Sequence, residues 1–298
     1  MFAKEWLNAG RRQEGTPAGA SPDNRRPACI RLVVGLVPLF LCESAGCRSW
    51  PPVSAPQPPA GEILVRGQLT FYADFPLPRR HRLIDELVAL RADITEKLLL
   101  PASDEPIQVY LFKDADQFRR FLWRRYPQLP DRRAFFVETD TRLAVFAHWG
   151  DRVAEDLRHE LAHGYLHAVV PNLPLWLDEG LAEYFEVPRG HHGLHTAHVQ
   201  LLWERHQKFF WKPALERLER FDRADQMGPL DFAEAWLVVH WLLETTELRQ
   251  QLLQNYLARL RLAGESPRLV ELLRQSEPDY EGQLLVHLVT LYPQIDPP

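Results

Sequence analysis

The 298 residues predict an α+β fold: a small mixed sheet with helices, then a helix pair, then an all-helical C-terminal half. Three observations support this. Short runs of strand character fall between residues 63 and 147, and apolar residues recur every four positions from Val153 onward. Hydrophobic residues make up 46% and charged residues 25% of the chain, an ordinary globular balance that can bury one sizeable core.

Taken in order, residues 63–72 read as strand, and Leu77 to Leu100 as an amphipathic helix ended by Pro101. Ile107 to Phe112 alternates as a short strand. Asp114 is placed to cap a helix that runs to about Tyr126, before Pro127. Arg133 to Glu138 and Arg142 to Ala147 predict two strands joined by Thr139-Asp140-Thr141. Leu143 to Ala147 is expected at the sheet edge, where an extended peptide backbone could add to it. From Asp151 onward helices are expected, and no internal repeat is evident.

The N-terminus reads as an export signal. Arg25, Arg26 and Arg31 precede or open the apolar run Ile30 to Leu41, too short for a comfortable membrane span. Ser44-Ala45-Gly46-Cys47 is similar to a bacterial lipobox, in which the cysteine carries lipid; Ser44 stands where a larger aliphatic residue is usual. The expected organisation is an export segment over 1–47, a proline-rich linker over 48–61, an α+β domain over 62–190 and a helical subdomain over 191–298. The expected location is the cell envelope or periplasm, with Cys47 as a membrane tether.

Composition narrows the chemistry. A formal net charge of −5 gives no electrostatic footprint for nucleic acid, and none is expected as a partner. Arg119, Arg120, Arg124, Arg125, Arg132 and Arg133 form one basic stretch, read as a solvated helix face and its flank. The three cysteines are Cys29, Cys42 and Cys47, so a thiolate ligand or cysteine nucleophile has no source downstream.

His159-Glu160-Leu161-Ala162-His163 is an H-E-x-x-H pattern in helical surroundings, with Val153, Leu157, Leu161 and Tyr165 toward the core. Four residues advance a helix about 6 Å and about 40° beyond one turn, so the two imidazoles share a face. They can meet one zinc ion at about 2.0–2.1 Å. Glu160 points to the side of the pair, where it can take a proton from metal-held water.

Val170-Pro171-Asn172-Leu173-Pro174 ends that helix and opens another, from Leu175 to Glu186. Two antiparallel helices can bring a carboxylate to the histidine pair, and three protein ligands leave an open, catalytic zinc site. Glu179 is the expected third ligand. Glu183, one turn on, is expected to accept the free N–H of a zinc-bound imidazole.

Trp176-Leu177-Asp178-Glu179-Gly180-Leu181-Ala182-Glu183-Tyr184-Phe185 resembles the second motif of gluzincin metallopeptidases, nearest the peptidase-MA-like bacterial proteins. The resemblance is strong over residues 157–186 and loose over 105–290. It implies a zincin-like fold, a single Zn2+ on His159, His163 and Glu179, Glu160 as general base, and a peptide or protein substrate.

One position departs from that pattern. Phe232 opens a helix that in these relatives often begins with tyrosine, leaving the oxyanion donor unassigned among His240, Tyr184 and Tyr165. Leu166 and Val169 stand where a metzincin would need glycine and histidine. His167 lies about 12 Å along the helix from His159, too far to share its ion. The run His191, His192, His195 and His198 could line a cleft or bind metal adventitiously; it reads first as a solvated loop entering the next helix. His148 is open between a substrate contact and a plain edge residue. The expected function is zinc-dependent peptide hydrolysis. The alternatives are an exported zinc-binding scaffold without turnover and a hydrolase of non-peptide amides or esters.

Overall fold

The structure is a computed structural model that describes residues 57–295, except Gln128 and Pro130. The export-like segment, the three cysteines and most of the proline-rich linker lie outside the described residues. No helix among the described residues is long and apolar enough to cross a membrane.

The fold is mixed α and β. Five strands, β1 (Glu62–Arg66), β2 (Leu69–Ala73), β3 (Ile107–Phe112), β4 (Ala134–Thr139) and β5 (Arg142–His148), form one sheet in the order β1-β2-β3-β5-β4. The stretch 63–72 is therefore two strands and not one. They pair antiparallel across Gly67-Gln68, and Gly67 supplies the left-handed φ of +56° at the hairpin turn. β2, β3 and β5 run parallel, while β4 returns antiparallel to β5. That pairing corrects the edge assignment: β5 is internal, between β3 and β4, and β4 is the edge.

Alternation along the strands buries both faces. Phe71, Val109, Val145 and Phe136 point to one side, where α1 (Arg82–Leu98) and α3 (Val153–His167) cover them. Tyr110, Val137 and Phe146 point to the other, against Phe118, Phe121 and Leu122 of α2 (Ala115–Arg125). The first helix is shorter than its apolar pattern, because the chain turns in only at His81, whose Nδ1 caps the Leu83 N–H at 3.2 Å. Asp114 caps α2 as expected, accepting from the Gln117 N–H at 2.9 Å.

The remaining elements are helical: α4 (Leu175–Phe185), α5 (Thr196–Phe209), α6 (Leu215–Leu218), a 3-10 turn (Ala224–Gln226), α7 (Pro229–Glu244), α8 (Glu247–Ala263), α9 (Leu269–Ser276) and α10 (Tyr280–Ile295). One buried apolar cluster continues from Leu69 in the sheet to Leu291 in α10. In α3, Leu157 and Leu161 are fully or almost fully buried, each contributing about 1.5–3 kcal/mol. This anchors the helix by the face opposite its histidines. α4 is held against α7 at Gly180, where a Cβ would stand 2.6 Å from the Ala235 carbonyl oxygen. Only glycine lets the backbones approach so closely, and that approach sets the phase of the acidic face of α4 toward α3.

Candidate metal centre

α3 and α4 bring three of the nominated side chains to one point. His159 Nε2 and His163 Nε2 face each other at 3.2 Å. Glu179 Oε2 lies 3.6 Å from His159 Nε2, and Oε1 lies 3.9 Å from His163 Nε2. Ligands bound to one tetrahedral zinc ion at 2.0–2.1 Å stand about 3.3 Å apart, so the three donors are close to that spacing.

Their protonation points the same way. His159 Nδ1 is 2.9 Å from Glu186 Oε2, and His163 Nδ1 is 2.9 Å from Asp178 Oδ1. Each carboxylate draws the ring proton to Nδ1 and leaves a lone pair on Nε2. Two lone pairs converging at 3.2 Å repel unless a cation or a proton lies between them. Glu179 Oε2 is buried and has no hydrogen-bond partner among the described residues. The donor set fits zinc.

Burial acts to lower the His159 pKa, yet the nearby Glu179 carboxylate and the hydrogen bond to Glu186 override it and hold the value well above the usual range. The site stabilises positive charge. Burial likewise acts to raise Glu186, and its bonds to His159 and His195 override that and lower it strongly.

Two cavities adjoin the cluster. A cleft of ≈ 520 Å³ is lined by Arg132, Ala134, His159, Glu160, Glu179, Glu183 and Phe232 among others. A tighter one of ≈ 50 Å³, with Phe135, Phe136 and Ala224 in its wall, also contains Arg132, His159, Glu160, His163 and Glu179. Glu160 lies on both. Its carboxyl pKa is raised by burial, against the lowering influence of His159 and His163. A separate cavity of ≈ 600 Å³, bordered by Glu86, Asp93, Lys97 and Arg189, contains none of the three nominated ligands.

Glu183 does not take the expected position. It sits 2.8 Å from His198 Nε2, while Asp178 and Glu186 back the two imidazoles. The reason is helix phase. Asp178 precedes Glu179 by one residue and faces His163, whereas Glu186, at the C-terminal end of α4, reaches the outer edge of His159. A carboxylate seven positions after Glu179 repeats its face of the helix, and that spacing was the available signal. His167 is also more than a bystander: it bonds Asp178 Oδ2 at 2.9 Å through Nε2 and Glu138 Oε2 at 2.8 Å through Nδ1.

None of the oxyanion candidates faces the cluster. Tyr165 donates to the Leu87 carbonyl, Tyr184 to Glu244, and His240 pairs with His287. His148 Nδ1 lies 3.2 Å from the Arg133 carbonyl oxygen. Of the histidine run, His191 and His192 are exposed, but His195 and His198 turn into the cleft, contrary to the solvated-loop expectation.

Comparison with protein-family models and with curated proteins found no match to this chain.

Proposed function

We propose that the chain is a zinc-dependent metallohydrolase of zincin-like fold that cleaves peptide bonds. The observation that carries this reading is the pair of Nε2 atoms at 3.2 Å, each ring backed by a carboxylate at Nδ1, with a buried glutamate closing the triangle. His159, His163 and Glu179 would hold one ion. Bound zinc supplies Lewis acidity and lowers the pKa of water in its coordination sphere.

The chain's own residues perform the rest. Glu160, on the wall of both cavities, accepts a proton from the attacking water at its carboxylate and passes it to the departing amine. Its raised pKa suits a group that must both take and return a proton. The edge of β4 that no described strand pairs offers backbone N–H and C=O groups to an extended substrate, and Ala134 at its start lines the cleft. Arg133 cannot serve as a free anchor there, being held by Asp156 at 2.6 Å. Arg132, which lines both cavities and has no ion-pair partner within 4 Å among the described residues, is the donor available to a carbonyl oxygen that gains charge.

The N-terminal segment belongs to the same proposal as an export signal, with Cys47 as a lipid tether to the cell envelope.

Glu160→Gln tests the reading with a peptide library assayed with and without chelator. Turnover should fall by at least a hundredfold while one zinc ion per chain is retained. Full activity in that variant removes Glu160 from the mechanism. Hydrolysis of esters but of no peptide would move the protein to a different substrate class.

A further inference from the structure

His195 and His198, at the start of α5, turn into the cleft beside the first cluster, and no step above uses them. Their imidazoles stack with centroids 3.7 Å apart and planes 16° from parallel. Both direct Nε2 at one carboxylate: Glu183 Oε2 lies 2.8 Å from His198 Nε2 and 3.7 Å from His195 Nε2. One ligand atom from each of the three residues lies within 4.8 Å of the others. The side chains are only 13–20% exposed, so they form part of a wall and not a surface spray.

The frame around them is firm. The Trp236 ring packs at 5.7 Å from His198 and 6.3 Å from His195, and its Nε1–H donates to the Gly193 carbonyl at 2.8 Å. That bond pins the loop that delivers His195. Glu186 stands between the clusters, with Oε1 2.9 Å from His195 Nε2 and Oε2 2.9 Å from His159 Nδ1.

We propose that Glu183, His195 and His198 form a second binding site for a divalent transition-metal ion, zinc foremost, distinct from the His159–His163–Glu179 site and linked to it through Glu186. Two imidazoles and a carboxylate suit zinc and its neighbours, whereas calcium and magnesium favour all-oxygen shells. Glu183 supplies the charge, and the open side of the cluster faces the cleft.

Proton placement ranks the two sites. His195 Nδ1 accepts the His198 backbone N–H at 3.3 Å, which puts the ring proton on Nε2. An ion arriving at Nε2 shifts that proton to Nδ1, with none gained or lost, and breaks both this contact and the Nε2–H bond to Glu186 Oε1. The His198 N–H keeps its bond to the His195 carbonyl at 3.1 Å, and Glu186 keeps its contact with His159. His159 and His163 need no such shift, their Nδ1 protons already being directed at carboxylates. The second ion therefore binds more weakly than the first.

This inference does not depend on catalysis. Calorimetric titration of the full chain with Zn2+, supported by Co2+ absorption spectra, tests it. The expected result is two equivalents, the second at least tenfold weaker. His195→Ala and His198→Ala should each abolish the second equivalent and spare the first, and Glu179→Ala should do the reverse. Circular dichroism checks that each variant folds, and His198→Gln replaces any alanine variant that does not. A single equivalent in the wild-type chain that both histidine substitutions spare overturns the proposal. So does a second equivalent that survives both histidine substitutions. Failure of the first equivalent alone would count against the hydrolase reading and leave this one standing.

Discussion

The Glu186 carboxylate lies 2.9 Å from His159 Nδ1, seven residues beyond the glutamate that faces the Nε2 side of the same ring. One imidazole thus stands between two carboxylates of α4 and its C-terminal end. A carboxylate behind a metal-binding imidazole fixes the tautomer and raises ligand basicity. Glu186→Gln should weaken the first zinc equivalent about 10–100-fold. Glu183→Gln should change that equivalent by less than about threefold, because its carboxylate rests on His198. Competition against a chelator of known affinity reads both values.

Asp178 predicts a different cost. It is almost fully buried between His163 and His167, and burial, which would raise its pKa, is overridden by those two histidines, which hold it well below the usual range. Asp178→Ala leaves both imidazoles without that partner. Breaking a buried ion pair by removing one side costs about 3–5 kcal/mol. Urea unfolding of the metal-free protein should register a loss of that order, and an unchanged midpoint would mean that His167 is neutral and indifferent to Asp178.

His240 and His287, which do not line the cleft, should make stability depend on pH. They are buried and bonded to each other at 2.9 Å. Burial lowers the pKa of His240 to about 4 and of His287 to about 3, with neighbouring positive charge adding to both. Both are neutral above about pH 6.5, folded or unfolded. As pH falls below that, the unfolded chain takes up protons that the folded chain refuses, so the stability present above about 6.5 is lost progressively toward pH 4. The slope is about 1.4 kcal/mol per pH unit for each histidine. His287→Gln should flatten the wild-type curve in this window, as measured by urea midpoints from pH 7 to pH 4. Parallel curves for the two proteins would contradict the assignment.

Gly180 sets the distance between α4 and α7. A methyl group there meets the Ala235 carbonyl oxygen at 2.6 Å and Val239 Cγ2 at 2.9 Å, neither able to yield without moving α7. Gly180→Ala should destabilise the fold by about 1–3 kcal/mol and weaken zinc binding as well, since the adjacent Glu179 moves with the helix. Thermal unfolding with and without Zn2+ separates the two effects.

Much of this arrangement was legible in the sequence, and the exceptions share a cause. The four-step row from Val153 to Tyr165 and the proline break before Leu175 are local signals, and both helices formed where those signals put them. The H-E-x-x-H spacing needs only one helix, so His159 and His163 converge as expected. Which carboxylate meets which imidazole depends on the phase between two helices, fixed here by the Gly180–Ala235 approach. No single segment encodes that, and spacing alone points to Glu183 where Glu186 and Asp178 lie against the imidazoles. The edge placement of Leu143 to Ala147 differs for a related reason: β5 is internal through parallel pairing with β3, about 35 residues away, a long-range contact that alternation cannot report. Gly67-Gln68 is a weaker turn signal than Asn-Gly, so the hairpin reads in sequence as a single strand.

Anomalous diffraction at the zinc edge from crystals grown with Zn2+ tests the central claim most directly. The account predicts a peak about 2.0–2.1 Å from His159 Nε2 and His163 Nε2 and within about 2.2 Å of a Glu179 oxygen. A zinc-replete crystal with no peak between those three side chains, or with Glu179 turned away from the ion, would contradict it.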